Sequence, residues 1–274
     1  MTMLRMRDHP STMMDAVPET KRQPSKVHKW VRRGFFLWAV ISTSWLANSV
    51  RTRGVDDRLL QSSAAVSVVD QAATLAFLPT LSNDKKGLIF ICGSGIAAAA
   101  YAPLLRPIAE AGYPVFVVRL PYRFAPLESH KQAAMNRARG VIATHPEVLH
   151  WVMAGHSLGG ALTARLAGSD ARALSAIVLI GTTHPREDDL SSLQMPVTKI
   201  YASEDDIAPP DRVLANRRLL PLRTKWVEIK GGNHSQFGRY GHQFFDGTAT
   251  ISREQQETIT RSAILATLLE SHDR

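Results

Sequence analysis

Short, largely apolar runs that alternate with stretches of helical spacing constrain this chain more than anything else about it. They lie at 88–92 (LIFIC), 115–118 (VFVV), 151–154 (WVMA), 176–180 (AIVLI) and 197–201 (VTKIY). A strand with one solvated face alternates apolar and polar residues, whereas these runs are apolar on both faces and so belong under cover on both sides. The stretches at 101–111, 128–144 and 160–166 between them suit helices. The pattern predicts an α/β fold, a mostly parallel central sheet flanked by helices. A further run at 225–229 (KWVEI) alternates, which places it close to an edge. Residues 66–79 have room for one or two antiparallel strands ahead of the sheet, and the alanines at 97–100 predict a tight helix start. Ser252-Arg253-Glu254-Gln255 has the form of a capping box, and Ile264, Leu265, Leu268 and Leu269 follow as an apolar stripe.

With 274 residues, 45% hydrophobic and 21% charged, the chain is neither disordered nor a polytopic membrane protein. Its one cysteine, Cys92, excludes an intramolecular disulfide or a cysteine-cluster metal site. The formal net charge is +9, but residues 1–58 carry 11 Lys/Arg against 5 Asp/Glu, which leaves the remainder near balance. A nucleic-acid binder would carry its charge on the folded domain, so no nucleic-acid partner is expected.

That basic lead, residues 1–33, is expected to be disordered. It precedes 34–50 (GFFLWAVISTSWLANSV), which has no charge. The segment predicts a membrane anchor or an export signal, with Trp30, Trp38 and Trp45 as interfacial residues and the following domain, 60–274, outside the cytoplasm. Ala47-Asn48-Ser49 loosely fits a cleavage site, and Val31-Arg32-Arg33-Gly34-Phe35-Phe36 loosely fits a twin-arginine signal. A simple helix of the main domain is the competing reading.

Gly155-His156-Ser157-Leu158-Gly159 follows directly on the run at 151–154 and precedes a helix-compatible stretch. Gly-x-Ser-x-Gly in a strand–turn–helix context puts a serine on a sharp, strained turn at the carboxyl end of a sheet. The glycines let strand and helix approach each other, and the Leu158 amide at the helix start points to where an oxyanion would form. A serine hydroxyl needs a base to become nucleophilic at neutral pH. Asp205 and Asp206 follow the run at 197–201, and His234 follows 225–229, so the order Ser…Asp…His is available from loops after strands.

In these features the chain resembles the α/β-hydrolase superfamily. Ala202-Ser203-Glu204-Asp205-Asp206-Ile207-Ala208-Pro209 resembles its acid loop, with Ala202 in place of the usual glycine, and that resemblance implies Asp205 as the acid; Asp206 and Glu204 stay open as alternatives. Gly232-Asn233-His234-Ser235-Gln236-Phe237-Gly238-Arg239-Tyr240-Gly241, together with Tyr101-Ala102-Pro103-Leu104 and Gly112-Tyr113-Pro114-Val115, is similar to the bacterial subgroup called α/β-hydrolase family 5, many of whose members carry an N-terminal membrane segment. The resemblance implies a serine esterase with Ser157, Asp205 and His234 as a triad and no metal or organic cofactor. It implies oxyanion donors at the amides of Leu158 and Ser94, although Cys92-Gly93-Ser94-Gly95 departs from the subgroup's Pro-Gly-Gly turn. Only 181–195 separates two of the predicted strands, too little for a lid domain, so small or accessible esters are the expected partners. A non-catalytic binding module, or an acyltransferase or thioesterase using the same triad, is the alternative.

Overall fold

A computed structural model describes residues 26–82 and 85–271. The basic lead up to residue 25 lies outside the described residues. The chain divides into two compact units between Thr43 and Ser44. Helix α1 (Lys26–Ser49) runs through both the basic residues and the uncharged stretch. The second unit holds β1 (Val66–Asp70), β2 (Thr74–Pro79), β3 (Lys86–Ile91), α2 (Ala102–Glu110), β4 (Val115–Val118), α3 (Glu128–Thr144), β5 (His150–His156), α4 (Leu158–Ser169), β6 (Ala176–Ile180), β7 (Val197–Ala202), α5 (Pro210–Ala215), β8 (Lys225–Ile229) and α6 (Arg253–Glu270).

The strands form one eight-stranded sheet in the order β1-β2-β4-β3-β5-β6-β7-β8. β1 and β2 are antiparallel, and β2 joins β4 antiparallel; every pairing from β4 to β8 is parallel. All residues of β3, β4, β6 and β7 are buried, which is the both-face cover that the apolar runs predicted. α2 packs with α6 and α3 with α4, giving the sheet its helical layers. At about 25 cal/mol per Å2 of apolar surface, burial of this kind is the main favourable contribution to the fold. β8 is the edge itself: among the described residues it pairs only with β7, and Lys225 and Glu228 on it are exposed. The alanines start α2 through a 3-10 turn at Ala98–Tyr101. In the capping box of α6, Ser252 Oγ accepts from the Gln255 amide while Gln255 Oε1 accepts from the Ser252 amide.

The expected anchor or signal at 34–50 is not supported. Among the described residues no helix is long and apolar enough to cross a membrane. Lys26, Lys29, Arg32 and Arg33 occupy the first turns of α1, and Ser42, Thr43 and Ser44 interrupt its apolar half. At 1.5 Å per residue the uncharged remainder spans about 24 Å, short of the roughly 30 Å of a bilayer core.

Strand order reverses between β3 and β5. The chain leaves β3 for β4 on one side and returns through α3 to β5 on the other, which opens a crevice at the carboxyl ends of β3 and β5. Ile91 of β3 is paired with Gly155 of β5, so the turn after β3 lies abreast of the turn after β5. The connection 181–196 contains no helix or strand.

Lys199 is an anomaly in the centre of β7: it is 1% exposed and donates to the His184 carbonyl. Burial pushes its ammonium down to about 7, from an ordinary value of 10.5. Between those two values the unfolded chain binds the extra proton, so stability rises with pH across that window and the full cost of the buried charge is felt below it. Lys199→Met is therefore expected to raise Tm by roughly 3 °C or more at pH 6, with the gain shrinking as pH approaches 10. Thermal melts across pH check this, and a gain independent of pH would contradict the buried-charge account.

Candidate active site

Ser157 sits at φ 53°, ψ −117°, a left-handed backbone that a non-glycine residue adopts only under constraint. The constraint comes from both sides. Its amide donates to the Ile180 carbonyl at 2.9 Å, and its own carbonyl accepts from the Ala161 amide at 3.1 Å. A Cβ on Gly155 would come within 2.2 Å of the Gly159 carbonyl oxygen, and one on Gly159 within 2.0 Å of the Ile91 carbonyl oxygen. Both glycines are therefore required by direct backbone packing, as the motif predicted. The hydroxyl of Ser157 makes no capping hydrogen bond to α4, so an ordinary N-cap role does not account for it.

Of the three adjacent carboxylates, Asp205 is the one that turns inward. It is fully buried; its Oδ1 accepts from the amides of Ile207 (3.0 Å) and Ala208 (2.6 Å), and its Oδ2 lies 2.9 Å from His234 Nδ1. Asp206 is exposed, and Glu204 accepts a hydrogen bond from Ser203 Oγ. With Nδ1–H donating to a carboxylate, the lone pair of His234 resides on Nε2. That atom is buried and has no hydrogen-bond partner among the described residues. It forms no hydrogen bond with Ser157, yet Ser157 and His234 line the same cavity of about 130 Å3 together with Leu158, Thr182, His184 and Arg186. Hydrogen bonds of this type often close only when substrate is present.

The loop carrying His234 is held from within its motif by Tyr240 and from outside it by Asp246 and Gln256. Asp246 accepts from the His234 amide (3.2 Å), the Ser235 amide (2.8 Å) and Ser235 Oγ (2.5 Å). Tyr240 Oη donates to the His234 carbonyl at 3.0 Å. The Gln256 side chain of α6 accepts from the Asn233 amide and donates to its carbonyl. None of these was a candidate in the sequence. Asp246 lies twelve residues past His234, and only the α6 capping box signalled that the helix bearing Gln256 begins nearby.

The amides of Leu158 and Ser94 donate no hydrogen bond among the described residues. Leu158 opens α4 and lines the cavity; Ser94 does not line it and stands on the adjoining turn after β3. That turn is fastened by Ser94 Oγ to the Phe124 carbonyl (3.2 Å) and by the Gly95 amide to the Arg123 carbonyl (2.8 Å). The supporting segment is itself strained, with positive φ at Tyr122, Arg123 and Ala125. His184 is half-buried at the cavity, and burial together with the nearby Arg186 and Lys199 charges holds its imidazole down at about 4. A larger groove of about 560 Å3 shares Leu158, Ala161, His184 and Arg186 with the cavity and carries Glu128 and Lys131. Cys92 is a buried thiol that burial pushes up to about 12, consistent with a small core residue.

A family model described as the alpha/beta hydrolase family matches residues 87–258. No functionally curated protein matches the chain. Similar solved structures include a bacterial membrane phospholipase A described as a virulence factor (13% identity, TM-score 0.56, covering 87% of this chain and 99% of that one). Est1E from Butyrivibrio proteoclasticus is 14% identical, with a TM-score of 0.51, over 75% of this chain and all of that one. A ferulic acid esterase from Streptomyces cinnamoneus is 19% identical, with a TM-score of 0.55, over 69% and 68%. At these identities the likeness is one of fold.

Gly159→Ala is expected to leave no soluble, cooperatively folded protein, because the new methyl meets the Ile91 carbonyl, which is backbone and has nowhere to move. Soluble expression followed by thermal melting checks it; a variant with near-parental Tm would show that the elbow relaxes.

Proposed function

Because this chain belongs to the alpha/beta hydrolase family, whose model spans residues 87–258, we propose that it is a serine hydrolase that cleaves small, accessible carboxylic esters through an acyl-enzyme on Ser157. One observation carries the reading. A buried Asp205–His234 pair leaves His234 Nε2 without a partner on the wall of the cavity that Ser157 also lines.

In this reading Ser157 Oγ attacks the ester carbonyl carbon while His234 Nε2 takes the hydroxyl proton. Asp205 keeps Nδ1 protonated and stabilises the imidazolium that forms. The amides of Leu158 and Ser94 hold the carbonyl oxygen as it gains negative charge. Collapse of the tetrahedral intermediate expels the alcohol, which receives the proton from His234. Water then attacks the acyl-enzyme by the same route, giving back free Ser157 and a carboxylic acid.

Substrate size follows from volume. A cavity of about 130 Å3 corresponds to roughly four water molecules, which suits a short acyl chain. The polar groove beyond it suits the alcohol portion.

A fluorophosphonate probe combined with a series of p-nitrophenyl esters tests the proposal. The parent protein is expected to label on Ser157 and to prefer acetate or butyrate over laurate. Ser157→Ala is expected to abolish labelling and lower kcat by about 10^4-fold or more. Labelling that persists in Ser157→Ala, or no labelling and no turnover in the parent, overturns the reading and leaves a binding module on this fold.

A separate consequence concerns the acid. Asp205→Asn keeps the shape but lets the imidazole adopt the wrong tautomer, and a drop in kcat of about 10^3- to 10^4-fold is expected. Asp206→Asn is expected to stay within about threefold of the parent. Equal losses in the two variants would reassign the acid.

A further inference from the structure

Tyr101 is fully buried at the start of α2, and its hydroxyl sits between two groups of the candidate site. The Gly93 amide lies 2.9 Å from Tyr101 Oη and can only donate to it. His156 Nδ1 lies 2.9 Å from the same oxygen. Burial pushes the Tyr101 phenol well above its ordinary value and the His156 imidazole well below, so both stay neutral. The hydrogen bonds then run one way, from Gly93 N–H to the Tyr101 oxygen and from Tyr101 O–H to His156 Nδ1. The remaining imidazole proton is on Nε2, which is buried without a partner among the described residues.

The two ends of this chain of bonds are significant. Gly93 immediately precedes Ser94, and His156 immediately precedes Ser157 and Leu158. The ring of His156 also lies 4.6 Å from that of His234, centroid to centroid. A Cβ on Gly93 would come within 2.8 Å of His156 Nδ1 and 3.1 Å of Tyr101 Oη, so the three groups are in direct contact. As core residues alone, phenylalanine and leucine would serve better, because a buried imidazole with an unsatisfied nitrogen is costly.

Resting on the hydrolase reading above, we propose that Tyr101 and His156 are positioning residues that brace the turn after β3 against the turn after β5, fixing the separation of the Ser94 and Leu158 amides and giving the His234 ring a surface to lie on. The bridge touches no substrate. It sets where the two oxyanion donors stand, and displacements of about 1 Å at such donors are worth about 100-fold in rate.

The test uses active sites counted by fluorophosphonate titration, so that misfolded protein does not enter kcat. Tyr101→Phe is expected to lower kcat by 10- to 100-fold with KM within about twofold. Affinity for a trifluoromethyl ketone, whose adduct bears the oxyanion, is expected to fall in the same proportion. His156→Leu is expected to match Tyr101→Phe. His156→Asn, whose Oδ1 can accept the Tyr101 proton, is expected to recover about tenfold over His156→Leu. The double variant Tyr101→Phe/His156→Leu is expected to be no worse than either single one, since each already breaks the bridge. Tyr101→Phe with unchanged kcat overturns the proposal, as do losses that multiply in the double variant or equal deficits in His156→Asn and His156→Leu. Should Tyr101→Phe fail to fold, the comparison at 156 decides. A parent protein that neither labels nor turns over fails the hydrolase reading itself, whereas an active parent indifferent to these changes fails only the bridge.

Discussion

Backbone meeting backbone beneath the elbow is the constraint on which the rest of the site depends. Gly159 faces the Ile91 carbonyl and Gly155 faces Gly159, each at a distance that admits no side chain. This contact draws α4 onto the ends of β3 and β5, holds Ser157 in its left-handed conformation and aims the first amides of α4 into the crevice. The parallel register of Ile91 with Gly155 then brings the Cys92–Gly95 turn level with the elbow. Without that close approach, the serine would be an ordinary first residue of a helix.

Asp205 and His234 are held in place by different means. Asp205 is held by amides within its own loop, so its geometry is local and follows from how the chain turns after β7. His234 is held by partners distant in sequence, Asp246 and the Gln256 side chain acting through Asn233. A local device supports the acid and a non-local one supports the imidazole. Changes in α6 or around residue 246 are therefore better placed to disturb the imidazole than the acid.

What could be read in advance follows the same division. The strands were legible because burial on both faces leaves a largely apolar run. The strand at 225–229 was legible as peripheral because Lys225 and Glu228 break its pattern. Ser157 and His234 stood out as candidates from local motifs next to strands. Spacing could not choose among Glu204, Asp205 and Asp206, since what separates them is which carboxylate receives the Ile207 and Ala208 amides. The Tyr101–His156 contact joins residues 55 apart, and nothing in either local sequence announces the other. The expectation drawn from the uncharged run at 34–50 is left unsupported for a related reason. Composition showed an apolar window, but not that one helix would continue through four upstream cationic residues and three hydroxyl-bearing ones.

The connection between β6 and β7 passes the site without building any element above it. On the hydrolase reading, the covalent intermediate would form with no helix or strand of this connection folded over it. Such an arrangement favours capture by water over capture by a competing alcohol or amine, because the connection builds no shelter in which a second organic molecule could be selected. On that reading, the short connection would incline the partition of the acyl group toward free acid and away from transfer.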